Sequence, residues 1–193
     1  TPRSGEQAAL GHDLLQFMST LGIERAALAG YDWGGRAACI VAALWPEKVR
    51  CLVSCTGYNI QNIAASVEPV SAAQEHRFWY QYYFHSAAAF DNPDFVEVVI
   101  HSYRHRYGYV AGDPAVADIE ARLAKQPAIG VPTINLHGGH DGVGPAPEKD
   151  SQARFFTGPY DRRILPRIGH NVPQEAPGDT VVALRQLMKG TAR

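Results

Sequence analysis

The sequence predicts an α/β protein, with a parallel sheet carrying helices on both faces. Short apolar runs alternate with longer helical stretches, the order that gives parallel strands joined by crossover helices. The runs Leu28-Ala29 and Leu52-Val53 are apolar without alternation, as strands covered on both faces require. A helix over about 5–21 is expected first, then a strand at 25–31, a helix at 34–44 and a strand at 49–56. Residues 57–72 form a polar loop. The stretch 73–126 is helical and aromatic, broken near Asp91-Asn92-Pro93 and Gly112-Asp113-Pro114. A strand at 131–137, a helix at 148–157, a strand at 160–165 and a helix at 178–189 complete the pattern.

Composition narrows the function. A chain of 193 residues is long enough to bury a substantial core. A formal net charge of −1, without a basic block, argues against nucleic acid or an anionic membrane as partner. No apolar run approaches a membrane span. Cys39, Cys51 and Cys55 fall in expected helix or strand, and an odd number of buried thiols suits a reducing cytoplasm.

Asp32 carries the chemistry. It stands in Leu28-Ala29-Gly30-Tyr31-Asp32-Trp33-Gly34-Gly35, between an apolar strand and a helix. The pattern is Gly-x-Asp-x-Gly, where Gly-x-Ser-x-Gly is the better-known elbow. Small residues at Gly30 and Gly34 answer to crowding of the flanking backbones. The turn lifts the central side chain to a helix start, where N–H groups can meet developing negative charge. A carboxylate there needs no deprotonation to attack an electrophilic carbon, and it forms an alkyl ester. Asp141 follows the run Thr133-Ile134-Asn135-Leu136 through a Gly-rich loop, and His170 follows Ile164-Leu165. That order suits Asp32 as nucleophile, His170 as the base that activates water and Asp141 as the group that orients it. The plainer alternatives are a helix N-cap for Asp32 and a turn residue for Asp141.

From Leu14 to about Leu187 the chain resembles the epoxide hydrolases and haloalkane dehalogenases of the α/β-hydrolase fold. The Asp-Trp-Gly-Gly elbow is common to both branches. The segment Phe78-Trp79-Tyr80-Gln81-Tyr82-Tyr83-Phe84 looks like the epoxide-hydrolase cap stretch, and Ser102-Tyr103-Arg104 like its Tyr-Arg motif. The resemblance implies that Tyr80 and Tyr103 are the ring-opening tyrosines. Opening an epoxide leaves an alkoxide that must be hydrogen-bonded or protonated, and a phenol is a neutral donor suited to it. A halide needs no proton. The resemblance further implies Trp33 as an oxyanion-hole donor, Trp33, Arg36, Trp79 and Tyr83 against a small apolar epoxide or halogenated substrate, and no cofactor or metal. It places the core at 1–66 and 127–193 and a shortened helical cap at 67–126. Ordinary packing is the alternative for the tyrosines.

The family's fold has eight strands, and only its last four are recognisable, with no His-Gly-x-Pro loop before Asp32. The expectation is that N-terminal strands are missing and that the nucleophile strand becomes an edge, open to a second copy or a complementing chain. Rival functions are a haloalkane or haloacid dehalogenase with the same triad, and an inactive binding module. Arg36 resembles an arginine of haloacetate dehalogenases that grips a carboxylate, but Trp33 stands where those enzymes carry a further arginine. His101 and His105 share a helix face without an evident third ligand, so a solvated face or local pairing is expected.

Overall fold

The computed structural model describes residues 4–66, 68–81 and 93–191. Its sheet has four parallel strands in the order β1-β2-β3-β4: β1 (Ala26–Gly30), β2 (Val49–Cys55), β3 (Thr133–Gly138) and β4 (Tyr160–Leu165). Every residue of β3 is buried, and all of β2 except Arg50. β4 carries Asp161, Arg162 and Arg163, the charged composition that suits an edge. Among the described residues β1 pairs with β2 alone, so the strand leading to Asp32 is the other edge, as expected.

Adjacent residues of a strand point to opposite faces, and the core divides accordingly. Leu52 joins Ile40, Val41, Leu123 and Ile129 in a cluster on one face. Val53 and Cys55 join Ile134, Leu136, Val172 and Ala183 on the other. The first cluster is covered by α1 (Gln7–Thr20), α2 (Asp32–Leu44) and α5 (Ala117–Leu123). The second is covered by α6 (Val172–Glu175) and α7 (Pro177–Gly190). Between β2 and β3 lie α3 (Ala72–Arg77), a helical turn at 79–81, α4 (Pro93–Arg106) and α5. The three cysteines are buried and unpaired. Among the described residues no helix is long and apolar enough to cross a membrane.

Three expectations change. The helix after β1 begins at Asp32 rather than 34, with Tyr31 as its N-cap, so Asp32 is not the cap. The loop after β2 is not simply polar: Tyr58 and Ile60 are buried, and the Tyr58 ring stacks 4.2 Å from Phe155. No α-helix forms over 148–157, only a 3₁₀ turn at Ala153–Phe155. Asp150 explains this, because its Oδ1 accepts from the Gln152 and Ala153 N–H groups and competes with helical bonding. Of the two expectations for the face shared by His101 and His105, pairing rather than solvation is the one found at His105. His105 is buried with Nε2 3.0 Å from Glu6 Oε2, and Glu6 also accepts from the Asp113 N–H at 2.7 Å.

The elbow shows which glycines the backbone demands. A Cβ on Gly30 would lie 2.6 Å from the Gly34 carbonyl oxygen, and one on Gly35 would lie 2.8 Å from Asn59 Nδ2. A Cβ on Gly34 would meet nothing within 4 Å. The positions that cannot carry a Cβ are therefore Gly30 and Gly35, while Gly34 crowds Gly30 through its backbone alone and its own Cβ position faces open space. Gly30→Ala is expected to cost about 2 kcal/mol or more, since backbone must move. Gly34→Ala is expected to be neutral or to stabilise by up to about 1 kcal/mol through helix propensity. Urea unfolding of both variants checks the contrast.

Candidate active site

Parallel strands deliver the residues just beyond them to one edge of the sheet, outside their carboxyl ends. Asp32 comes after β1, Asp141 after β3 and His170 after β4. Asp32 has φ 48°, in the left-handed region that a non-glycine residue seldom occupies. The Gly35 N–H donates to the Tyr31 carbonyl at 2.8 Å and closes the first turn beneath it. The Asp32 side chain is half exposed, with Oδ1 4.0 Å from His170 Nε2.

His170 is held on its other side. Its Nδ1 lies 3.0 Å from Asp141 Oδ2. Asp141 Oδ1 accepts from the Val143 and Gly144 N–H groups at 2.8 and 2.9 Å. An ionised carboxylate only accepts, so Nδ1 carries a proton, and in the neutral imidazole the Nε2 lone pair is the one turned towards Asp32. Burial alone would raise the Asp141 carboxyl, but the bonds from His170, Gly144 and Val143 outweigh it and hold it below its usual range. The hydrogen bond to Asp141 raises the His170 imidazole, against burial, with the charges of Asp141, Asp32 and Glu175 adding to it. Stability depends on pH with opposite signs at the two groups. The raised His170 stabilises the fold below its ordinary value of about 6.5, and that contribution is lost as pH rises through the raised value. Asp141 stabilises above the ordinary carboxylate range, and its share is lost as pH falls through its depressed value. Asp141→Asn is expected to lower the His170 pKa by about one unit or more, read by NMR titration of the imidazole.

Three residues around His170 escaped sequence reasoning. Glu175 accepts from the Gly169 N–H at 2.7 Å and the Asn171 N–H at 3.1 Å, tying the backbone on both flanks of the imidazole. The Tyr31 ring stands edge-on to His170 at 6.5 Å, and its hydroxyl accepts from Gln174 Nε2 at 2.9 Å. The signal available for Glu175 was its place one turn past Asn171, where a carboxylate can reach the free N–H groups of a helix start.

A cavity of about 550 Å³ opens on Asp32 and His170. Tyr80, from the turn at 79–81, and Tyr103, from α4, both line it with Trp33, Leu10, Val98 and Val99. Burial, then Tyr80 and Asp32, push the Tyr103 phenol up to about 12. Trp33 stands edge-on to Tyr103 at 6.0 Å, and its N–H belongs to the first turn of α2, whose N–H groups lack intrahelical acceptors. Arg36 is buried with its guanidinium carbon 4.2 Å above the Trp33 ring, and it lines a second, smaller chamber beside Asp32. Trp79, expected against the substrate, points elsewhere. It is 64% exposed and lines neither chamber, because one residue along a helix turns the side chain about 100° from Tyr80. Tyr83 and the break at Asp91-Asn92 lie outside the described residues.

The family model for the alpha/beta hydrolase fold matches residues 1–111. A putative epoxide hydrolase from Klebsiella pneumoniae is 38% identical, with a TM-score of 0.90 over 98% of this chain and 74% of that one. An epoxide hydrolase from Bacillus megaterium, solved as a point mutant, is 15% identical, with a TM-score of 0.66 over 98% and 79% of the two chains. A thermophilic esterase from Thermogutta terrifontis is 20% identical, with a TM-score of 0.59 over 99% and 75%. These last two show the fold alone. No curated protein matches. By the family match across more than half its length and the Klebsiella likeness, the chain belongs to the α/β-hydrolase fold family.

Proposed function

We propose that this hydrolase opens epoxides to diols through an ester on Asp32. The observation that carries the reading is the meeting of an aspartate elbow, His170 and two tyrosines in one largely apolar cavity. Asp32 attacks an epoxide carbon as the ring C–O bond breaks, and Tyr80 and Tyr103 hydrogen-bond and protonate the departing oxygen. The Tyr103 phenol, raised to about 12 by burial, is neutral at neutral pH and so keeps its O–H for the departing oxygen. His170 Nε2 then takes a proton from water, and the hydroxide attacks the ester carbonyl carbon. The Trp33 N–H bears on the resulting oxyanion; as it collapses, the imidazolium gives its proton to the departing diol oxygen, and the proton left on the Asp32 carboxyl returns to the tyrosine phenolate, restoring the carboxylate. Asp141 orients and stabilises the imidazolium without taking its proton. The 4.0 Å between Nε2 and Asp32 exceeds a hydrogen bond, which leaves the base free for water.

In this reading residues 67–126 form the cap and 1–66 with 127–193 the core, since Tyr80 and Tyr103 both come from the segment between β2 and β3. The buried free thiols fit a reducing compartment such as the cytoplasm.

Tyr103→Phe and Tyr80→Phe are each expected to lower kcat by about 10²-fold, and the double variant by more, with smaller changes in KM. Steady-state kinetics on styrene oxide reads this. The test of the whole scheme is one turnover in heavy-oxygen water with enzyme in excess. Heavy oxygen should enter the Asp32 carboxylate and be absent from the diol. A labelled diol with unlabelled Asp32 would mean direct attack by water and would overturn the ester mechanism. Turnover of haloalkanes but not epoxides would assign the chain to the dehalogenases.

A further inference from the structure

The second chamber beside Asp32 has about 330 Å³ and a character opposite to the first. Asp32, Tyr80, Val143 and His170 line both, so a molecule reacting at Asp32 faces one chamber on each side. The first is walled by Leu10, Val98, Val99 and Tyr103. The second holds Arg36 and Arg106, and its sole carboxylate among the described lining residues is Asp32 itself.

Arg36 is the informative residue. It is 8% exposed, its Nε donates to the Asn59 carbonyl at 3.0 Å, and its Nη1 is buried with no hydrogen-bond partner among the described residues. An unpaired donor on a buried cation is costly, and natural structures seldom keep one without a ligand or a charge to meet it. Burial, and then the charge of Arg106, push its pKa down to about 10, which still leaves it cationic at neutral pH. Trp33 beneath it and the Asn59 carbonyl beside it fix the plane of the fork. Arg106 approaches the same chamber with its guanidinium carbon 5.8 Å from the centre of the Phe78 ring, and Phe78 is part of the wall.

We propose that this chamber is an anion subsite, in which Arg36 and Arg106 take a carboxylate carried by the substrate. The substrate class is then epoxy acids, with an apolar group in the large chamber and a carboxylate in the small one. This rests on the epoxide-opening reading. The reaction itself strengthens the case. When Asp32 becomes an ester it loses its charge, and the arginine pair is left without a carboxylate in the chamber unless the substrate brings one. A planar, forked guanidinium matches a carboxylate better than it matches a neutral oxygen.

The test compares phenylglycidate with its uncharged amide. Wild-type kcat/KM should favour the carboxylate by about 10- to 100-fold, the range of a charge-assisted hydrogen bond. Arg36→Met and Arg106→Gln should each bring that ratio towards one, mainly by raising KM for the carboxylate. Calorimetry with unreactive hydrocinnamate supplies a readout that needs no turnover, with binding expected in the wild type and weakened in both variants. Turnover of the amide without preference for the acid and without hydrocinnamate binding would overturn the subsite and leave the epoxide reading standing. A preference that survives both substitutions overturns the subsite as well. Binding of hydrocinnamate that depends on both arginines, with neither epoxide consumed, would uphold the subsite and sink the reaction. Silence in both assays rejects both.

Discussion

His170→Gln protein mixed with styrene oxide is expected to gain the mass of one whole epoxide and to keep it. Alkylation uses the Asp32 carboxylate, which is already ionised, so loss of the imidazole leaves the first half-reaction largely in place. Hydrolysis of the ester depends on a base within reach of water, and general-base loss costs about 10²- to 10⁴-fold. The ester should then outlive many turnovers of the parent enzyme. Gln keeps a polar side chain beside Asp141, whose carboxylate would otherwise be buried without its side-chain partner. Intact-mass spectrometry reads the adduct, and peptide mapping should place it on Asp32. A gain of only the alkyl part, from a haloalkane, would mark dehalogenation. Folded protein without any adduct would remove Asp32 from the role of nucleophile.

Asp32→Asn should show the complementary loss. A neutral amide oxygen is a poor nucleophile, and removal of a covalent nucleophile in comparable enzymes costs about 10⁴- to 10⁶-fold in kcat. Asn is the informative replacement because residue 32 sits at φ 48°, a conformation that Asn tolerates better than most residues. The elbow should therefore persist, and circular dichroism and urea unfolding should resemble the parent while steady-state turnover vanishes. The combined Asp32→Asn, His170→Gln protein should carry no adduct, which ties the trapped mass to one oxygen of one side chain. Retention of more than about one percent of the parent kcat would contradict the scheme.

How much of this was legible in the sequence depended on whether the signal was local. The alternation of strands and helices comes from short-range patterning, and all four strands fall where the apolar runs place them. The elbow and the order Asp32, Asp141, His170 were legible because the residues that leave parallel strands share an edge. The start of α2 was not, because Gly34-Gly35 reads as a break while tertiary crowding at Gly30 and Gly35 sets the true path. The absent helix over 148–157 turned on Asp150, whose side chain outcompetes backbone bonding in a stretch of acceptable helix formers. Trp79 was misplaced because an aromatic segment does not disclose its rotational phase, and the helix turned Tyr80 inward instead. The Glu175 clamp and the orphan Nη1 of Arg36 belong to three-dimensional neighbourhoods that no spacing announces.

The strand order has one consequence for how this site comes into being. Asp32 leaves β1, Asp141 leaves β3 and His170 leaves β4, with β2 lying between the first pair. Asp32 and Asp141 are separated by most of the chain, so no hairpin or local helix pair contains the constellation. Long-range pairings of this kind close late in folding, after local helices have formed. The complete constellation therefore exists only where β1, β2, β3 and β4 are all paired in one sheet, and a chain lacking any of those pairings holds no triad.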